Sequence, residues 1–123
     1  MKRLSTFITI ASGIFFTSLS HAHAFPENSS PHVGASIQAS PGQVRIWFDA
    51  DLEPLFDKLV VKNERGAVVS KGEARVDAKN PALLEVSLPP ALPPGHYHVY
   101  WHVNSRDGHR TQGDYVFTVQ PAR

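Results

Sequence analysis

Hydrophobic and polar residues alternate along most of this chain in short segments, each bounded by proline or glycine. Val44, Ile46 and Phe48 fall on one face of an extended Gln43–Asp49, with Arg45 and Trp47 on the other. Tyr97, Val99, Trp101 and Val103 alternate in the same way with His96, His98, Tyr100, His102 and Asn104. Tyr115, Phe117 and Val119 alternate with Val116 and Thr118. With Lys58–Lys62, Ala67–Ser70 and Leu83–Leu88, these segments predict an all-β domain, a small β-sandwich or barrel. Asn63-Glu64-Arg65-Gly66 reads as a hairpin turn in which Gly66 supplies a positive φ. No stretch between the breaks is long enough for an amphipathic helix. Phe25, Trp47 and Trp101 are expected as core or pocket walls rather than as redox partners.

The pattern changes before residue 23. Lys2 and Arg3 precede a mostly apolar run from Leu4 to Leu19, and small residues follow at Ser18, Ser20, Ala22 and Ala24. This is the layout of a secretory signal peptide, and polar breaks at Thr9, Ser12, Gly13 and Thr17 argue against a retained membrane anchor. The small-residue rule admits a cut after Ala22 or after Ala24, and the second fits the A-x-A pattern better. The first would leave His23 as the amino-terminal residue. An amino-terminal histidine is a chelate: its α-amine, which titrates near neutrality, and its ring Nδ1 can close on one metal ion.

Composition narrows the partners. Removing Lys2 and Arg3 from the 12 Lys and Arg leaves 10 basic side chains against 11 Asp and Glu, so the mature domain is near neutral and has no basic stripe for nucleic acid. Cysteine is absent, and Met1 is the only methionine. An exported domain of this kind has no disulfide, no thiolate site and no thioether for Cu(I), so a metal must be held by nitrogen and oxygen. About 100 residues make one domain, 23–123 after a leader of 1–22.

Candidate donors cluster after the His96–Ser105 strand. In Ser105-Arg106-Asp107-Gly108-His109, an extended backbone would project Asp107 and His109 to one side, with Gly108 leaving the approach open. A turn in which Asp107 caps backbone amides is the alternative. His96, His98 and His102 share one strand face and could grip a second metal, although a solvated sheet face explains them as well. His32 is expected to be exposed.

These residues resemble the CopC family of periplasmic copper-binding proteins, including its short YobA-like members. The resemblance runs through His23-Ala24, Ser30-Pro31, Gly34-Ala35, Pro41 with Val44–Phe48, Leu92–Tyr97, Val99–Val103, Ser105–His109 and Gly113–Phe117. It implies a Greek-key β-sandwich, immunoglobulin-like and cupredoxin-like. It also implies one Cu(II) ion held by the amine and ring of His23 with Asp107 and His109, and hence cleavage after Ala22. Three nitrogens and one carboxylate oxygen suit the tetragonal preference of Cu(II), although Zn(II) is compatible on ligand type alone. An acidic residue after the first long strand supports the copper site in the family. Here Ala50 aligns with it, leaving Asp49, Asp51 or Glu53 as substitutes or as a solvated turn.

The expected function is a periplasmic, monomeric Cu(II) carrier or buffer in copper resistance or delivery, not an enzyme, with no membrane insertion after signal removal. A CopD-type membrane copper transporter is the partner that the resemblance implies. Two other classes fit less well. A small copper monooxygenase would need a broad substrate surface and a coordination position that Asp107 would fill. A metal-free immunoglobulin-like interaction module would leave the ligand set unexplained.

Overall fold

A computed structural model describes residues 13–14 and 24–122. His23 and the rest of the expected leader lie outside the described residues. Eight strands follow one another: β1 (Pro26–Ser30), β2 (Ser36–Ile37), β3 (Gln43–Phe48), β4 (Lys58–Lys62), β5 (Lys71–Val76), β6 (Leu83–Ser87), β7 (Gly95–Asn104) and β8 (Arg110–Val119). They form two four-stranded sheets, ordered β1-β3-β6-β5 and β2-β8-β7-β4. All pairings are antiparallel except β2 with β8. The chain crosses from one sheet to the other after β1, β2, β3, β4 and β6, the Greek-key pattern of a β-sandwich.

Each long strand buries alternate residues, as the sequence predicts. Val44, Ile46 and Phe48 of β3 and Leu84 and Val86 of β6 face Val99, Trp101 and Val103 of β7 and Tyr115, Phe117 and Val119 of β8. Phe48 meets the Trp101 ring edge-on, with centroids 5.3 Å apart and planes at 73°. Aromatic pairs in this geometry add about 0.5–1.5 kcal/mol beyond their buried area. Trp101 also needs its neighbour on β8 to be glycine. A Cβ on Gly113, its cross-strand partner, would lie 2.5 Å from Trp101 Cζ2.

On the outer face of the first sheet, Glu85 of the central strand β6 lies between Arg45 Nε at 3.4 Å and Arg75 Nε at 3.2 Å. Trp47 is on this outer face, with the Arg45 guanidinium 4.9 Å from its ring centroid, so it covers the sheet instead of filling the core. Phe25 is 49% exposed, which corrects the expectation of a core wall there, whereas Trp101 is core.

Three strands differ from the sequence reading. β1 and β2 were not anticipated, and the strand expected at Ala67–Ser70 is replaced by β5. Residues Ala67–Ser70 are instead the crossing between the sheets. Lys62 and Val68 form an isolated bridge, and Val69 N donates to Val61 O at 2.8 Å. The Asn63–Gly66 turn is present, with Gly66 at φ 78° and its amide donating to Asn63 O.

The Trp101 contact gives a stability test. Gly113→Ala is expected to destabilise the fold by about 1–3 kcal/mol through overpacking. Gly42→Ala, where a Cβ meets open space, is expected to be neutral or to stabilise by up to about 1 kcal/mol. Urea unfolding of the two variants checks this, and equal midpoints would contradict the packing argument.

Candidate metal centre

One end of the sandwich collects the chain's entry into β1, the loop after β3 and the β7–β8 connection. The connection is a tight turn and not an extended run. Gly108 N donates to Ser105 O at 2.9 Å, Ser105 N donates to His109 O at 2.9 Å, and Gly108 has φ 89°. A positive φ of this size favours glycine, so Gly108 is needed for the bend as well as for access.

The turn nevertheless brings the two predicted donors together. Asp107 Oδ1 lies 3.1 Å from His109 Nδ1. The buried Ser105 hydroxyl donates to the same carboxylate oxygen and also reaches His109 O at 3.2 Å. His109 N approaches Asp107 Oδ1 at 3.4 Å, so the capping-turn alternative and the paired-donor arrangement coexist in one loop. The Ser105 hydrogen bond, followed by those from His109, holds the Asp107 carboxyl below the ordinary carboxylate range. Two donors each about 2.1 Å from one ion at near right angles lie about 3 Å apart. The Asp107–His109 separation therefore suits a shared metal.

The loop after β3 braces this turn from the side. Leu52 bridges to Ser105, Glu53 N donates to Asn104 O at 2.8 Å, and Arg106 N donates to Asp51 O at 3.2 Å. The Arg106 guanidinium also lies 3.6 Å from the Asp51 carboxylate. Asp57 Oδ1 accepts from Asn104 N at 2.9 Å, and burial pushes the Asp57 carboxyl up.

The chain's entry is tied to the same place. Ala24 is fully buried, and its carbonyl accepts a 2.6 Å hydrogen bond from Thr111 Oγ1, two residues beyond His109. Asp49 clasps the next residue: Phe25 N donates to Asp49 Oδ1 at 2.7 Å and Asp49 N donates to Phe25 O at 2.9 Å. Of the three acidic candidates after β3, Asp49 thus supports the amino-terminal segment. Asp51 supports the 105–109 turn, and Glu53 contributes its backbone amide. Ala50 packs against the core.

His23 lies outside the described residues. Among the described residues no group of three His, Asp or Glu side chains could hold a metal ion, so Asp107 and His109 form a pair. Ser105 and Thr111 were not singled out from sequence. Ser105 stands in the Ser-x-Asp-Gly-His motif, but its burial and its hold on Asp107 depend on the fold. Thr111 acts on a residue 87 positions away. His96, His98 and His102 project from the outer face of β7, and His32 is exposed.

Comparisons with known proteins bear on this geometry. A model of the CopC domain matches residues 26–120. The chain is 30% identical over 109 residues to the copper transport protein CutJ of Bacillus subtilis (strain 168). That match covers 89% of this chain but only 20% of CutJ, so the chain spans one fifth of that relative. It is 31% identical over 99 residues to protein YobA of Escherichia coli (strain K12), covering 80% of each. The crystal structure of CopC from Methylosinus trichosporium OB3b superposes with a TM-score of 0.76 at 33% identity, over 82% of this chain and 97% of that one. PcoC, a methionine-rich copper resistance protein from Escherichia coli, gives a TM-score of 0.69 at 25% identity, over 80% and 99% of the respective chains.

The Ser105 contact yields a prediction for the metal-free protein. Because the native carboxyl of Asp107 titrates below its unfolded value, its contribution to stability is present above the ordinary carboxylate range and is lost as pH falls through the native value. Ser105→Ala is expected to move the Asp107 titration upward, followed by NMR of the side-chain carboxyl. An unchanged midpoint would mean that the serine does not set it.

Proposed function

The chain belongs to the CopC family, whose members handle copper, and on that premise we propose that it is an exported Cu(II) carrier or buffer. Cleavage after Ala22 leaves His23 first. Its amine and ring then join Asp107 and His109 to hold one Cu(II) ion at the end of the sandwich. The observation that carries this reading is the Thr111–Ala24 hydrogen bond beside the Asp107–His109 pair. Ala24 is bonded to His23, and consecutive Cα atoms are about 3.8 Å apart. The residue that follows the chelate is therefore anchored two positions from one of the other proposed ligands.

The remaining parts of the reading rest on chemistry. A nitrogen-rich set with one carboxylate favours Cu(II), which heads the affinity order for such donors. The chain has no methionine beyond Met1, so it lacks the thioether donors that Cu(I) prefers. Transfer of the ion to a CopD-type membrane copper transporter is supported by CutJ, where the matching region is one fifth of a copper transport protein. No described helix is long and apolar enough to cross a membrane. We assign the protein to the periplasm as a monomer without enzymatic activity.

Mass spectrometry of the exported protein is expected to show His23 as the first residue; a chain beginning at Phe25 would remove the chelate and contradict the assignment. In Cu(II) titrations, His23→Ala in the correctly processed chain and His109→Ala are each expected to weaken this site by more than about a hundredfold. Unchanged affinity in either variant would exclude that residue as a ligand. The amine and imidazoles must shed protons to bind, so affinity is expected to fall steeply below about pH 6. A flat profile from neutral to mildly acidic pH would contradict nitrogen ligation.

A further inference from the structure

The outer face of the β4–β7–β8 sheet carries a polar cluster that the amino-terminal site does not use. His98 on β7 lies diagonally across from Asp114 on β8, with Nε2 2.5 Å from Oδ2. The other ring nitrogen is also engaged: Tyr100 Oη lies 3.1 Å from His98 Nδ1, and the two rings stack with centroids 4.2 Å apart. Tyr100 is in turn covered by Lys62, whose Nζ is 5.2 Å from its ring centroid. His98 is thus fixed in orientation from one side while its Nε2 and a carboxylate are presented together to solvent. Beside them is a depression of about 240 Å³ whose walls include His96, His98 and Glu64.

We propose that His98 and Asp114 form a second, weaker Cu(II) site on this sheet face, with water filling the remaining positions. Metal-ligating histidines characteristically donate their other ring N–H to a fixed partner, and Tyr100 Oη stands at that position. The carboxylate supplies the negative charge that a divalent ion needs, and Glu64 nearby adds to it. The donor atoms need to separate only from 2.5 Å to about 3 Å for an ion to sit between them. The side chains are 36% and 56% exposed, which leaves room for that adjustment. An ion bound here takes the place of the direct contact between the two side chains. The Lys62 ammonium opposes a cation, and only two protein donors are offered, so this site binds less tightly than one with four. The proposal uses none of the residues assigned to the amino-terminal site and stands or falls separately.

The test is a titration of the full processed chain with copper(II) chloride, followed by electron paramagnetic resonance. Wild type is expected to take up two ions in two resolved steps. His98→Gln is expected to abolish the weaker step, and Asp114→Asn to weaken it at least tenfold, with circular dichroism confirming that each variant is folded. His102→Gln, on the same face but outside the pair, is expected to retain both steps. His109→Ala is expected to keep the weaker step while the tighter one is lost. Saturation of wild type at one equivalent that His109→Ala abolishes, or an undiminished weaker step in folded His98→Gln or Asp114→Asn, would overturn the proposal.

Discussion

The β7–β8 pairing is the constraint on which the rest of the structure depends. Its ten-residue antiparallel register runs from Gly95 opposite Val119 to Asn104 opposite Arg110. A slip of one residue would turn Tyr97, Val99, Trp101 and Val103 out to solvent and bury the histidines, so the hydrophobic pattern fixes the register strongly. The Trp101 indole resting on Gly113 fixes it again, because no other residue fits beneath that ring. Once the register is set, the tip of the hairpin can only be the 105–109 turn, and the outer face can only present His96, His98, Tyr100 and His102.

The same pairing separates two kinds of chemistry. At the tip, Asp107 and His109 are held by Ser105, whose hydroxyl is buried under the loop that follows β3. On the flank, Tyr100 holds His98, which in turn meets Asp114, and the pair faces water. The tip lies next to Ala24, where the chain enters the sandwich, so a donor supplied by the amino terminus belongs there and not on the flank. Under the proposed cleavage after Ala22, copper binding through that donor would depend on export.

The inner strands were legible from the sequence because half-buried strands print their faces as alternation. β3, β7 and β8 follow it residue by residue. β1 and β5 lie at the sheet's edges and are largely exposed: Pro-Glu-Asn-Ser-Ser carries no such pattern, and Lys-Gly-Glu-Ala-Arg-Val prints it only faintly, with glycine, Ala74 and Val76 as its inward set. Their place is set by pairing with β3 and β6, which is long-range information. The Asp107–His109 pairing was also foreseen, but through an extended backbone that the structure replaces with a glycine turn. The Thr111–Ala24 and Asp49–Phe25 hydrogen bonds span 87 and 24 positions, and no local motif announces them.

In the proposed site the free amine of His23 is a copper donor. The most direct measurement compares Cu(II) affinity of the processed chain with that of the same chain acetylated at His23, leaving every side chain in place. Acetylation is expected to cost more than about a hundredfold at the tighter site. Equal affinity in the two forms would contradict it.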